Sequence, residues 1–234
     1  MKENIYTIPI NDAFSANCEC PLCEFVKGEE IKQIEYSLGA SMMEPDERIS
    51  SNKLGYCNRH TQMKYDFGNK LSHALVLETR LEFLINEIDN YKKQIAHPKR
   101  IKFGTDKEMK LTNSENCVVC SRLKKIESDF VSNLFYMYKK DMVFREKFFS
   151  CKGFCLPHFE LLANCASKHL GKNLIIDFLD KICKLQKDNL ARVKEDVSWF
   201  TKKFDYRYKD DDWRNSRDAV VRGSIKISGF ISEN

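Results

Sequence analysis

The chain has 234 residues, of which 42% are hydrophobic and 12% aromatic, enough apolar material for a core and too much for a disordered chain. Its net charge of +5 is unevenly spread: residues 1–91 carry 9 basic and 15 acidic side chains, residues 92–110 carry 7 and 2, and residues 111–234 carry 23 and 17. No apolar run approaches the ~18 residues a membrane span needs, and the N-terminus has no signal-peptide pattern, so a cytoplasmic protein without a membrane partner is expected. In a reducing compartment ten cysteines point to metal rather than disulfides.

In chain order, Cys20-Pro21-Leu22-Cys23 opens a helical stripe of Leu22, Phe25, Val26, Ile31, Ile34 and Leu38 that stops at Gly39. A short polar helix over Pro45–Asn52 follows, and Gly55 then punctuates the chain before Cys57-Asn58-Arg59-His60. Gly68-Asn69-Lys70-Leu71 opens a long helix whose Leu77, Leu81, Leu84, Ile88, Tyr91 and Ile95 step by 4, 3, 4, 3 and 4, a seam able to pack along another helix. Turn-forming residues then mark a basic connector at 97–116.

The pattern then starts again. Cys117-Val118-Val119-Cys120 opens a stripe of Leu123, Ile126, Phe130, Leu134 and Met137, and a helix over Asp141–Phe149 is followed by Gly153 and Cys155-Leu156-Pro157-His158. The matching ligands are offset by 97, 97, 98 and 98 residues, which makes the chain an internal repeat. A second long helix begins at Gly171 and carries Ile175, Phe178, Ile182 and Leu185. The fold is read as mostly α: a first unit at 1–96, a second at 117–203 and an aromatic, charged tail at 204–234.

Each unit offers three thiols and one imidazole, the donor set of a structural Cys3His zinc site with no position left for water. The residues i and i+3 of a C-x2-H at a helix start share one face, and Pro157 suits a first turn. The direct assignment places Cys20, Cys23, Cys57 and His60 on one ion and Cys117, Cys120, Cys155 and His158 on another, giving two Zn²⁺ per chain. Related units can also exchange halves, joining Cys20 and Cys23 to Cys155 and His158. An iron–sulfur cluster is the alternative cofactor. Haem-attachment, deaminase, two-histidine finger and ferredoxin patterns are absent.

Cys18 and Cys151 lie beside ligands in sequence and are candidate reactive thiols, while Cys165 and Cys183 read as small core residues. Lys99, Arg100 and Lys102 in the connector are candidate nucleic-acid contacts, though Phe103 alone offers a stacking surface there. The C-terminal aromatic and charged segment that begins at Trp199 and includes Trp213 is expected to clamp back on the helical body. No Ser-His-Asp set, phosphate loop or dinucleotide fingerprint supports an enzyme.

The paired CPxC…GxCxxH units, with Lys203–Arg207, Trp213 and Asp218–Arg222 in the tail, resemble an uncharacterised family of bacterial proteins common in clostridia and their relatives. The resemblance runs from about Cys20 to Arg222, with Val118 in place of the first unit's Pro21. It implies the architecture and brings no activity. The reading is a zinc-binding interaction scaffold or adaptor whose partner is another protein. The alternatives are a thiol or metal redox sensor, and a nucleic-acid binder acting through the connector and C-terminal half.

Overall fold

The computed structural model describes residues 6–96 and 117–229. The connector, with Lys99, Arg100 and Lys102, therefore lies outside the described residues. The described residues fold into α1 (Ile8–Ser15), α2 (Pro21–Leu38), α3 (Pro45–Leu54), α4 (Asn58–Asp66), α5 (Lys70–Ala96), α6 (Val118–Lys140), α7 (Met142–Ser150), α8 (Leu156–His169), α9 (Lys172–Lys202) and α10 (Ala219–Ser228). No strand occurs among them. The mostly helical fold with two Cys/His groups is the one the repeat implies.

The chain forms two compact units, Met1–Gly28 with Ile126–Asn234, and Glu29–Lys125. They differ from the continuous segments read from the sequence, because the division falls inside α2 and inside α6. Each of these helices opens with a C-x2-C in one unit and ends in the other.

The first unit has an aromatic core. Phe14 of α1, Tyr138 of α6, Phe144 and Phe148 of α7, Phe178 of α9, and Phe154 are all buried there. Spacing explains the selection: Phe144 and Phe148 are one turn apart, as are Leu162 and Ala166 of α8 and Phe178 and Ile182 of α9. The rings meet edge-on or stacked, with centroids 5.3 Å apart for Phe14–Phe148 and 5.2 Å for Tyr138–Phe178. Asp141 caps α7, accepting from the N–H groups of Val143 and Phe144. The tail does fold back here: Trp199 Nε1 donates to the Asp212 carbonyl, and Ala219 and Lys226 of α10 are buried.

The second unit has a smaller core of Ile34, Leu38, Cys117, Val118 and Val119, with Leu54, Tyr56, Cys57 and Met63 packed on it. Here the first half of α5 lies on α3: Ser72, His73 and Val76 are buried, Thr79 Oγ1 donates to Asn52 Oδ1, and Arg80 donates to the Asn52 carbonyl. Its leucine seam is on another face.

Candidate metal centres

The eight ligands come together as two sets, Cys20, Cys23, Cys155 and His158 in the first unit, and Cys57, His60, Cys117 and Cys120 in the second. Within each set the donor atoms lie within 4.8 Å of one another. This corrects the within-repeat assignment in favour of the exchanged one. The cause is helix length. Cys57 packs in the cluster with Ile34 and Leu38. Ile34 stands eleven residues along α2 from Cys23, a rise of about 16 Å, so Cys57 and Cys23 cannot share an ion. The N-terminus of α6 fills the place instead, and the Val118 N–H donates to the Gly55 carbonyl at 3.0 Å.

The geometry repeats between the sites. In the first, His158 Nδ1 is 3.3 Å from Cys20 Sγ, 3.3 Å from Cys23 Sγ and 3.1 Å from Cys155 Sγ. Cys155 Sγ is 3.8 Å from Cys20 Sγ and 3.6 Å from Cys23 Sγ. In the second, His60 Nδ1 is 3.1 Å from Cys57 Sγ, 3.2 Å from Cys117 Sγ and 3.4 Å from Cys120 Sγ. All ten cysteines are free, and these separations are far beyond a disulfide's ~2 Å. Three thiols and an imidazole nitrogen converging this closely fit one metal ion.

Local structure sets up each site. Gly55 and Gly153 both have positive φ, 72° and 78°, two residues before Cys57 and Cys155. A Cβ at Gly153 would meet Gln186 Oε1 at 3.2 Å, so the turn needs glycine both for its conformation and for that approach. Cys57 and Cys155 are then the extended N-caps of α4 and α8, which throws the histidine three residues on to the same side. Buried Gln186 holds the turn before Cys155, accepting from the Phe154 N–H and donating to its carbonyl.

Each histidine has a carboxylate behind it, which the sequence reading missed. Glu30 Oε1 lies 2.9 Å from His60 Nε2, and Glu127 Oε1 lies 2.8 Å from His158 Nε2. Such a partner fixes the ring so that Nδ1 faces the metal. Both glutamates stand seven residues after the second cysteine of their C-x2-C, at the same offset of 97 as the cysteines, so the signal was present. Thus α2 gives its cysteines to the first site and Glu30 to the second, while α6 does the reverse.

Without metal, burial opposes a charged imidazole, but the Cys117 thiolate and Glu30 carboxylate outweigh it and raise His60 to about 10. His158 rises to about 12 in the same way, against burial, through Cys155, Cys20 and Glu127. Cys117 is lowered to about 6 because His60 outweighs its burial. Three thiolates and one neutral imidazole leave a divalent ion with a local charge of −1, which favours a nearby cation. Lys226 in the first unit and Lys64 in the second are both buried, and each senses the charge of a ligand thiolate, Cys20 and Cys117 respectively.

Neither candidate reactive thiol joins a donor set. Burial pushes Cys18 up to about 11 and Cys151 to about 12, the direction of a protonated, inert thiol. Cys165 packs against the first unit's core, and Cys183 is partly buried.

A helical frame closed around two Cys/His donor sets defines a cysteine-rich, all-helical, metal-binding protein. The family model described as a family of unknown function (DUF6062) matches residues 1–234, and the chain belongs to that family. No curated protein and no solved structure matches the chain.

Proposed function

We propose that the protein is a zinc-stapled interaction scaffold, cytoplasmic, in which two Zn²⁺ ions hold helix ends in place and an exposed helix face engages another protein. The observation that carries the reading is the closed donor geometry. A tetrahedral zinc ion with bonds of about 2.3 Å to sulfur and about 2.0 Å to nitrogen has S···S edges of about 3.8 Å and S···N edges of about 3.5 Å. The sites offer S···S separations of 3.6–4.0 Å and S···N separations of 3.1–3.4 Å. A multi-iron cluster spreads its protein ligands over several irons and needs wider spacing. With four protein donors per ion, the role supported is structural: zinc would be held by the Cys3His sets and supply binding free energy that becomes folding free energy.

Elemental analysis of anaerobically purified protein, with an absorption spectrum of the same sample, tests this. Two zinc per chain without visible absorption is expected. Iron with broad visible bands would overturn it in favour of a redox role.

A further inference from the structure

The longest exposed apolar feature among the described residues is on α5. Leu77 is 43% exposed, Leu81 58%, Ile85 67%, Ile88 52% and Ile95 59%, while Leu84 and Tyr91 beside them are half-buried. Exposed leucines scattered singly are ordinary, but Leu77, Leu81, Leu84, Ile88, Tyr91 and Ile95 repeat with alternating steps of 4 and 3 over 19 residues, or about 28 Å of helix, with Ile85 on the flank. That 3.5-residue period is what a helix uses to lie along another helix, and a surface facing water has no need of it. In the last three turns of α5, Asn86, Asp89, Asn90, Lys92, Lys93 and Ala96 are also exposed. An isolated helix of that length is marginal in water.

We propose that this seam pairs with α5 of a second copy of the chain as an antiparallel two-helix coiled coil centred on Asn86. The case for a second copy is self-complementarity. In this register Leu77 lies opposite Ile95, Leu81 opposite Tyr91 and Leu84 opposite Ile88, and the two-fold axis repeats each layer, so that all six seam positions are filled. Outside the seam, Glu78 falls beside Lys92 of the second copy at both ends and Ile85 meets its own counterpart on that flank, while on the other flank Glu87 faces Glu87 of the second copy, one like-charge contact set against two opposite-charge pairs. Glu78 and Lys92 are both exposed and are free to make that pair. Parallel pairing would instead put Lys92 near Glu87, leaving Glu78 opposite His73, which is buried in its own unit. The inference rests on the scaffold reading and gives it a partner: the protein's own copy.

The test is sedimentation velocity on the full chain at about 10 µM, where a Kd near 1 µM leaves most chains paired, with zinc content measured on each sample. The wild type is expected as a dimer, and Leu81→Glu with Ile88→Glu as a monomer that keeps its full metal content, since neither side chain belongs to a core. Glu78→Lys and Lys92→Glu should each weaken the dimer, and the double reversal should restore it. A wild-type monomer with two zinc per chain, or a dimer unaffected by Leu81→Glu and Ile88→Glu, overturns the pairing while leaving the metal reading intact. Failure of the double reversal to restore the dimer overturns the antiparallel register. Loss of tight metal from the wild type would instead overturn the scaffold reading itself.

Discussion

The two metal sites have the same ligands, the same spacing and the same glutamate behind the histidine, yet they draw their buried cation from different parts of the chain. In the second unit it is Lys64, one turn after His60 on α4. The matching position in the first unit, 98 residues later, is Leu162, which is buried in the aromatic core. The first site takes its cation from outside the repeat: Lys226 of α10 donates to the Glu19 carbonyl at 2.6 Å and the Lys152 carbonyl at 2.5 Å, and meets Glu19 Oε2 at 3.1 Å. One turn on, a Cβ at Gly229 would stand 3.8 Å from Cys155 Sγ and 3.9 Å from Cys23 Sγ. The tail therefore covers the first site and substitutes for a lysine whose place in that unit is taken by a leucine of its larger core.

The largest effects break the sites themselves. Cys20→Ser and Cys155→Ser should each remove one zinc per chain, and together still only one. Cys20→Ser with Cys57→Ser should remove both. Pairing within repeats would give the opposite pattern, so metal content of four purified variants decides between them. If the ions are structural zinc, as proposed, losing one forfeits binding free energy of roughly 10 kcal/mol or more, so the affected unit should melt. For the same reason residues 1–96 alone, which hold two half-sites from different ions, should show neither tight stoichiometric metal nor cooperative unfolding.

Next come the cations, where the sites should diverge. Lys226→Met removes a charge that is hydrogen-bonded on three sides and leaves Glu19 and two carbonyls short of a donor, a loss of roughly 3 kcal/mol. Its readout is faster transfer of one zinc, from the first site, to a coloured chelator. Lys64 is different: its Nζ lies 3.6 Å from the Tyr56 ring centroid but has no hydrogen-bond partner, and burial lowers it to about 8. Lys64→Met should cost under about 1 kcal/mol, because a buried group with no hydrogen bond leaves nothing unsatisfied when replaced by one of similar length. Equal effects at both lysines would show that the tail is not a special device of the first site.

Glu30→Gln and Glu127→Gln should each weaken zinc binding at their own site by roughly 10- to 100-fold, measured by chelator competition. The position of these glutamates also shows how much was legible in the sequence. The helices were: the stripes after each C-x2-C, the stop at Gly39 and the long helix from Lys70 are where the apolar spacing and the glycines put them. The ligands were equally plain, because eight metal donors recurring in order with a drift of one residue are seldom a coincidence. Their pairing was not, since it depends on where the far end of an 18-residue helix lies and on which N-terminus packs there. Glu30 and Glu127 share the offset but look like ordinary helical surface charges until the histidines are placed. Lys226 carries no repeat signal, and only the fold brings residue 226 to residue 19.

The smallest expected effect separates the two glutamates. Glu30 also accepts from Arg59, at 3.0 Å from Nε and 2.6 Å from Nη2, whereas the position matching Arg59 in the first unit is Pro157. Burial raises the pKa of Glu30, but His60 and Arg59 outweigh it and hold the carboxyl below its ordinary 4.5. A depressed carboxylate contributes stability that is fully present above the ordinary value and is lost as pH falls through the lowered one. Arg59→Ala should move that loss to higher pH, so that the second site releases zinc earlier in an acid titration while the first keeps its profile. Because Arg59 is 44% exposed, screening limits the cost at neutral pH to under about 1 kcal/mol. An acid profile unchanged by Arg59→Ala would mean that His60 alone holds Glu30 ionised, and that the Arg59–Glu30 pair does not set the two sites apart.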